Sequence, residues 1–196
     1  IAIFTGSAEV LSSGSQADLQ ISKWLSYVLT ATADLNFLVE ELSGLAKQAK
    51  NHKERLDLRI PIQKAVHLMQ LDFPYPITVE PGDPVFVTGN AESLTLAFIN
   101  VIKNAKKAIF DKALILKELS ENGISLKLQT NGKTVKVSVA DTGIGIRPEN
   151  MRRIFSTGWT TKKGDNHGLG LLRVQNTFTA EHNGKIAVKS KYGQGT

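Results

Sequence analysis

Cysteine is absent from the 196-residue chain. Disulfide staples, thiolate metal sites and a cysteine nucleophile are therefore excluded, and the lack fits a reducing compartment. No run reaches the roughly 18 unbroken apolar residues that a spanning helix needs. No charged-then-apolar leader opens the sequence, and membrane attachment through a longer parent stays open. Aromatics are sparse, with 2 Trp, 3 Tyr and 8 Phe, and none is interleaved with basic residues, so the footprint of a nucleic-acid binder is missing. The balance is nevertheless basic: 24 Lys and Arg against 18 Asp and Glu give a formal charge of +6. That field suits a polyphosphate ligand or an acidic protein partner. With 41% apolar and 21% charged residues, the chain can form one or two domains with a sizeable core.

Ser12-Ser13-Gly14-Ser15 is a break, and Ser15 with Asp18 resembles a helix-starting cap. Ile21, Trp24, Val28, Ala31, Leu35, Leu38, Leu42, Leu45 and Ala49 then recur in steps of three and four. The seam predicts a helix of about 33 residues, near 50 Å long. Leu25, Leu29 and Val39 form a second stripe that one helix cannot hide, which points to a four-helix bundle shared by two chains, with a buried helix of one globular domain as the bland alternative. Phe4, Ala8 and Leu11 read as the tail of a preceding antiparallel helix.

Beyond Arg55 the texture is mixed. Helices are expected over 61–69, 91–109 with an uneven continuation towards 119, 149–155 and 169–181. Strands are expected over 77–79, 85–87, 125–130, 134–140 and 185–190, with Asn131-Gly132 as a hairpin turn. This order predicts an α+β fold, an α/β sandwich with one helical layer.

Four segments are chemically loaded. Asn100, Asn104 and Lys107 share one helical face; a carboxamide oxygen suits Mg²⁺ and an ammonium suits phosphate. Asp141-Thr142-Gly143-Ile144-Gly145-Ile146 follows a strand, with glycines that permit positive φ and close backbone approach. An ionised Asp there accepts from an exocyclic amine such as that of adenine and repels a carbonyl. As the bland alternative, it is an Asp-Gly turn. Ile154-Phe155-Ser156-Thr157-Gly158-Trp159-Thr160-Thr161-Lys162-Lys163 runs into His167-Gly168-Leu169-Gly170-Leu171, where the glycines sit at an expected helix start that favours an anion. The last segment is Gly193-Gln194-Gly195-Thr196.

In this order the segments resemble the N, G1, F, G2 and G3 boxes of the GHKL nucleotide-binding superfamily, and most of all the catalytic domain of sensor histidine kinases. The resemblance covers roughly residues 56–196 and implies a Bergerat α/β sandwich holding ATP and Mg²⁺ under a lid. It implies that Asn104 ligates Mg²⁺, that Lys107 meets the phosphates, and that Asp141 holds the adenine amine. Gly143, Gly145, Ala108, Ile146 and Thr196 then belong to the nucleotide site. So do Thr160, Thr161, Lys162, His167, Gly168, Leu169, Gly170 and Leu171. Residues 1–55 resemble a truncated dimerisation and phosphotransfer hairpin, whose phosphoacceptor His is expected a few residues before Ile1.

The four histidines present are not credible acceptors. His52 lies in a charged run, His67 is expected in or near the core, His182 fits helix-end capping, and His167 sits in the lid. ATP-hydrolysing relatives carry a Glu where this chain has Asn100, and a carboxamide is no base for water. Asn100 and Asn104 are thus the expected catalytic pair, in transfer to a histidine and then to an Asp of a response-regulator receiver. The resemblance also implies a homodimer, located in the cytoplasm or forming the cytoplasmic portion of a membrane sensor. Two rivals are a GHKL ATPase or serine kinase, and a non-catalytic nucleotide-binding module.

Overall fold

In the computed structural model, residues 53–117, 122–156 and 170–196 are described. They belong to one of the two compact units into which the chain divides, the unit spanning His52–Thr161 and Asn166–Thr196. The expected hairpin lies outside the described residues up to His52.

Along strand β4 (Ile124–Thr130), Ile124 and Leu126 are buried while Ser125 and Lys127 are exposed. This period-two pattern turns one sheet face to the helices and the other to water. β4 is the centre of a three-stranded sheet, parallel to β2 (Ile77–Val79) and antiparallel to β5 (Val135–Asp141), with Ile124 opposite Asp141. A separate antiparallel pair joins β1 (Glu54–Asp57) to β3 (Phe86–Gly89). The helical layer holds α1 (Arg59–Gln70), α2 (Ala91–Leu116) and α3 (Gly170–Asn176), which runs into a π-helical turn at Thr177–Glu181.

α2 is the long element because its apolar period holds throughout. Leu94, Phe98, Ile102, Ala105 and Ile109 are buried in steps of three and four. Its N-cap Asn90 accepts from Ser93 N at 2.9 Å, and the helix ends where Lys117 takes a left-handed φ of 53°. Ile62 and Ala65 of α1 meet this stripe, and Ile124 and Leu126 close the core from the sheet.

Lys106 is one of three buried polar side chains on α2, with Thr95 and Lys112. Its ammonium is buried, donates to Met69 O at 3.0 Å and to the Asp72 carboxylate, and lies 5.2 Å from the Phe73 ring centroid. This ties α2 to the α1–β2 connection. Lys106→Ala leaves the Met69 carbonyl without that donor and should cost about 1–3 kcal/mol, read as a fall in denaturant midpoint. Nucleotide affinity should be unchanged, since Lys106 does not share the helix face of Asn100 and Asn104.

Four expectations are corrected. The strand expected at 85–87 begins at Phe86, because Val85 is used elsewhere: its N–H meets Asp57 Oδ1 at 3.0 Å and its carbonyl accepts from Leu58 N at 2.8 Å. Residues 149–155 form successive turns rather than a helix, with i to i+3 bonds such as Arg153 N to Asn150 O at 2.8 Å. Residues 185–190 keep the alternating exposure of a strand but join no ladder among the described residues, because Ser190 and Lys191 are engaged by loop partners instead. His67 is exposed, since α1 buries Pro61, Ile62 and Ala65 on the opposite side. The hairpin forms as expected, although Thr134 leaves β5 for the turn, where Asn131 Oδ1 accepts from its backbone N at 2.9 Å.

Candidate nucleotide site

β5 delivers Asp141 to the end of the sheet. Its Oδ1 accepts from Gly143 N at 2.8 Å, and its own N–H donates to Thr196 O at 2.9 Å. The backbone N–H of Thr196 also lies close enough to the carboxyl to favour its charged form. Burial pushes the carboxyl above its ordinary value of 3.8, and the N–H groups of Gly143 and Thr196 offset this only in part. A half-buried carboxylate oriented by backbone N–H groups suits a ligand N–H donor.

The loop after Asp141 is seated on α2 by backbone contact. Ile144 N donates to Ala108 O at 2.9 Å. A Cβ on Gly143 would lie 2.5 Å from the Ala108 carbonyl carbon and 2.6 Å from its Cβ, so this approach needs glycine. The other side of the loop is stitched to the chain's last residues. Ile146 N donates to Ser190 Oγ at 2.8 Å, Gly193 N donates to Ile144 O at 2.6 Å, and Ser190 Oγ donates to Gly195 O at 2.9 Å.

Ala108 also fixes where the helix residues stand. Asn104 is one turn before it and Asn100 two turns before it, on the same face. Asn104 is exposed, and Lys107 and Ala108 are half-buried. The Asn100 amide donates back to Leu96 O at 3.1 Å, and its Oδ1 lies 3.4 Å from where a Cβ on Gly170 would stand. One helix face therefore runs from the Asp141–Gly143 loop to the start of α3, where Gly170 and Leu171 are half-buried.

Asn100, Ala108, Asp141, Gly143, Ile146, Gly170 and Thr196 are thus connected through these contacts, Gly145 lies against the Lys191 and Gly195 backbone, and Asn104 and Lys107 stand on the intervening face. Thr160, Thr161, Lys162, His167, Gly168 and Leu169 lie outside the described residues. Sequence reasoning missed Ser190, Lys191 and Gly195 as supports of the loop. The Gly193–Thr196 motif was a signal for the last of them; nothing in the sequence marked the first two.

The site fits an adenine nucleotide. Asp141 presents an acceptor, and Gly143 and Gly145 let its loop close on the backbone of Ala108 and Lys191. The exposed Asn104 offers the hard oxygen that Mg²⁺ prefers. Among the described residues no three His, Asp or Glu side chains gather into a metal cluster, so such an ion would draw most of its ligands from phosphate and water.

Helices on one face of a mixed sheet, with an Asp at a strand end beside an asparagine-bearing helix, define the Bergerat class of ATP-binding fold. The chain belongs to the histidine kinase-, DNA gyrase B- and HSP90-like ATPase family, whose model matches residues 89–196. It is 32% identical over 181 residues to the sensor histidine kinase ZraS of Salmonella typhi, covering 87% of this chain and 36% of that protein. It is 27% identical over 209 residues to the sensory histidine kinase/phosphatase NtrB of Rhodobacter capsulatus, covering 99% of this chain and 56% of that one. The catalytic domain of histidine kinase ThkA shares the fold, with a TM-score of 0.58 at 22% identity, over 74% of this chain and 91% of that one. The chain spans about 36% of the ZraS length. It carries a histidine-kinase-type catalytic ATP-binding core.

Proposed function

We propose that this core binds ATP with Mg²⁺ and donates the γ-phosphoryl group to a histidine in a two-component kinase, from which it passes to an Asp of a response-regulator receiver. The observation that carries this reading is the Asp141 carboxylate, half-buried at the end of β5 and oriented by the Gly143 N–H so that it can accept the adenine amine. Its loop is seated on the helix that bears Asn100, Asn104 and Lys107.

Asp141 selects adenine, because its ionised oxygen attracts an N–H and repels a carbonyl. Lys107 holds phosphate charge, and Asn104 would hold Mg²⁺, which supplies charge neutralisation on the phosphate oxygens. In the transfer, the bond from the γ-phosphorus to the bridging oxygen breaks and ADP leaves with the electron pair. A histidine nitrogen forms the new P–N bond. Transfer is favoured over hydrolysis because Asn100 replaces a possible carboxylate base, and its amide is engaged with Leu96 O. Dimerisation through residues 1–55, a receiver partner and a cytoplasmic setting complete the proposal.

Titration with ATP and Mg²⁺ tests the reading: the wild-type chain should bind and Asn104→Ala should weaken the Mg²⁺-dependent part. No binding at all would sink it. The pH dependence has a definite sign. Nucleotide binding through the amine requires ionised Asp141, so the raised carboxyl pKa makes affinity fall as pH drops through that value, by about tenfold per pH unit below it. In the same range, binding should release a proton, measurable as a buffer-dependent binding enthalpy. Affinity that stays flat down to the unfolding pH would remove Asp141 from the role.

A further inference from the structure

His182 ties the turn after α3 to the start of α2. Its Nδ1 lies 2.7 Å from Thr177 O in the π-helical turn, and its Nε2 accepts from Asn90 N at 3.1 Å. A carbonyl can only accept and a backbone N–H can only donate. Both partners therefore dictate the same tautomer, with the proton on Nδ1 and a lone pair on Nε2. The ring is packed so closely on Gly89 that a Cβ there would stand 2.7 Å from Cδ2 and Nε2.

Asn90 is the N-cap of α2, the helix that carries Asn100 and Asn104. Thr177 continues α3, whose first residue, Gly170, faces the Asn100 side chain. His182 thus joins the remote ends of the two helices whose other parts meet at the site. Phe98 and Phe178 form an edge contact beside this tie, with centroids 5.6 Å apart. That contact is apolar and leaves rotation about it open, whereas the two hydrogen bonds of His182 do not. From His182 to Gly170 is about 18 Å at 1.5 Å per residue, so a tilt of about 5° would move Gly170 by ~1.5 Å. Displacements of that size are enough to spoil a phosphate-binding geometry.

We infer that His182 is a positioning residue for the phosphate end of the site, tying the turn after α3 to the N-cap of α2 and so setting the spacing between Gly170 and the Asn100–Asn104 face. This rests on the nucleotide reading above. The adenine end is held by separate contacts, those of Asp141, Gly143 and Ala108, so the two ends can be measured apart.

The test uses the 196-residue chain and two probes: ADP in EDTA for the base end, and the β,γ-imido analogue of ATP with and without Mg²⁺ for the phosphate end. His182→Ala removes both hydrogen bonds. His182→Asn keeps a donor near Thr177 O but cannot reach Asn90, and His182→Gln carries an oxygen that can accept from Asn90 N. ADP affinity in EDTA should stay within about twofold in all three variants, while the Mg²⁺-dependent gain should fall by about tenfold in Ala and Asn and be retained in Gln. An unchanged gain in His182→Ala, no gain in the wild type, or Asn and Gln variants that behave alike would overturn the inference. If His182→Ala fails to fold, the Asn and Gln pair still decides it. A wild type that binds no ADP would instead overturn the nucleotide reading itself, and this inference with it.

Discussion

Replacing Asp141 with Asn is expected to abolish useful nucleotide binding while leaving the nucleotide-free domain at least as stable as the wild type. The carboxamide oxygen of Asp141→Asn can still accept from Gly143 N, so the loop keeps its local bond. Its nitrogen takes the place of the other carboxylate oxygen and turns an acceptor towards the adenine amine into a donor. Losing a hydrogen bond to a charged acceptor and opposing two N–H groups should cost about 3 kcal/mol, roughly a hundredfold in affinity.

Stability should move the other way. A carboxyl whose folded-state pKa is raised contributes stability that is fully present below its unfolded value and is lost as pH rises through the folded one. At neutral pH, burial of the ionised group therefore opposes folding, and the neutral amide removes that penalty. Calorimetric titration together with a melting curve near pH 7 checks both halves. Retained ATP affinity would exclude Asp141 as the adenine contact, and a large fall in Tm would show that its role is structural.

The second large effect is expected at Gly195. Its φ is +102°, and a Cβ there would stand 2.0 Å from the Asp141 carbonyl oxygen. Gly195→Ala therefore combines a backbone conformation unfavourable for L residues with a clash against the residue that defines the site. The loss should be about 3–4 kcal/mol, with nucleotide affinity falling alongside as the end of β5 is displaced. Gly193 is the internal control in the same loop. Its φ is +84°, but a Cβ would meet nothing within 4 Å, so Gly193→Ala should cost only about 1–2 kcal/mol and leave binding nearly intact. Denaturant unfolding and nucleotide titration of the two variants separate strain from collision. Equal effects would mean that the contact with Asp141 does not matter.

Much of the framework of the candidate site was legible in the sequence. The helix of Asn100 and Asn104 follows from apolar residues at Leu94, Phe98, Ile102 and Ile109, and the two asparagines fall on one face by period alone. The hairpin of β4 and β5 follows from alternation around Asn131-Gly132, which brings Asp141 to a strand end. The errors came where backbone groups found unexpected partners. Val85 reads as a strand residue by its side chain, yet its N–H and C=O serve Asp57 and Leu58. Residues 185–190 alternate as a strand should, yet join no ladder among the described residues. Glu149 to Phe155 has helix-forming side chains but settles into turns.

The amino-acid sequence by itself determined which side chains are available for the proposed nucleotide contacts, because charge, amide chemistry and helical period are properties of residue type and spacing. Only the tertiary structure decided that Ala108 O receives Ile144 N, that Gly195 lies against the Asp141 carbonyl, and that His182 spans Thr177 and Asn90. Two of these contacts use backbone atoms that every residue carries. The third uses a histidine whose two partners lie on different helices. Such pairings depend on where distant segments meet, and no local pattern of side chains encodes them.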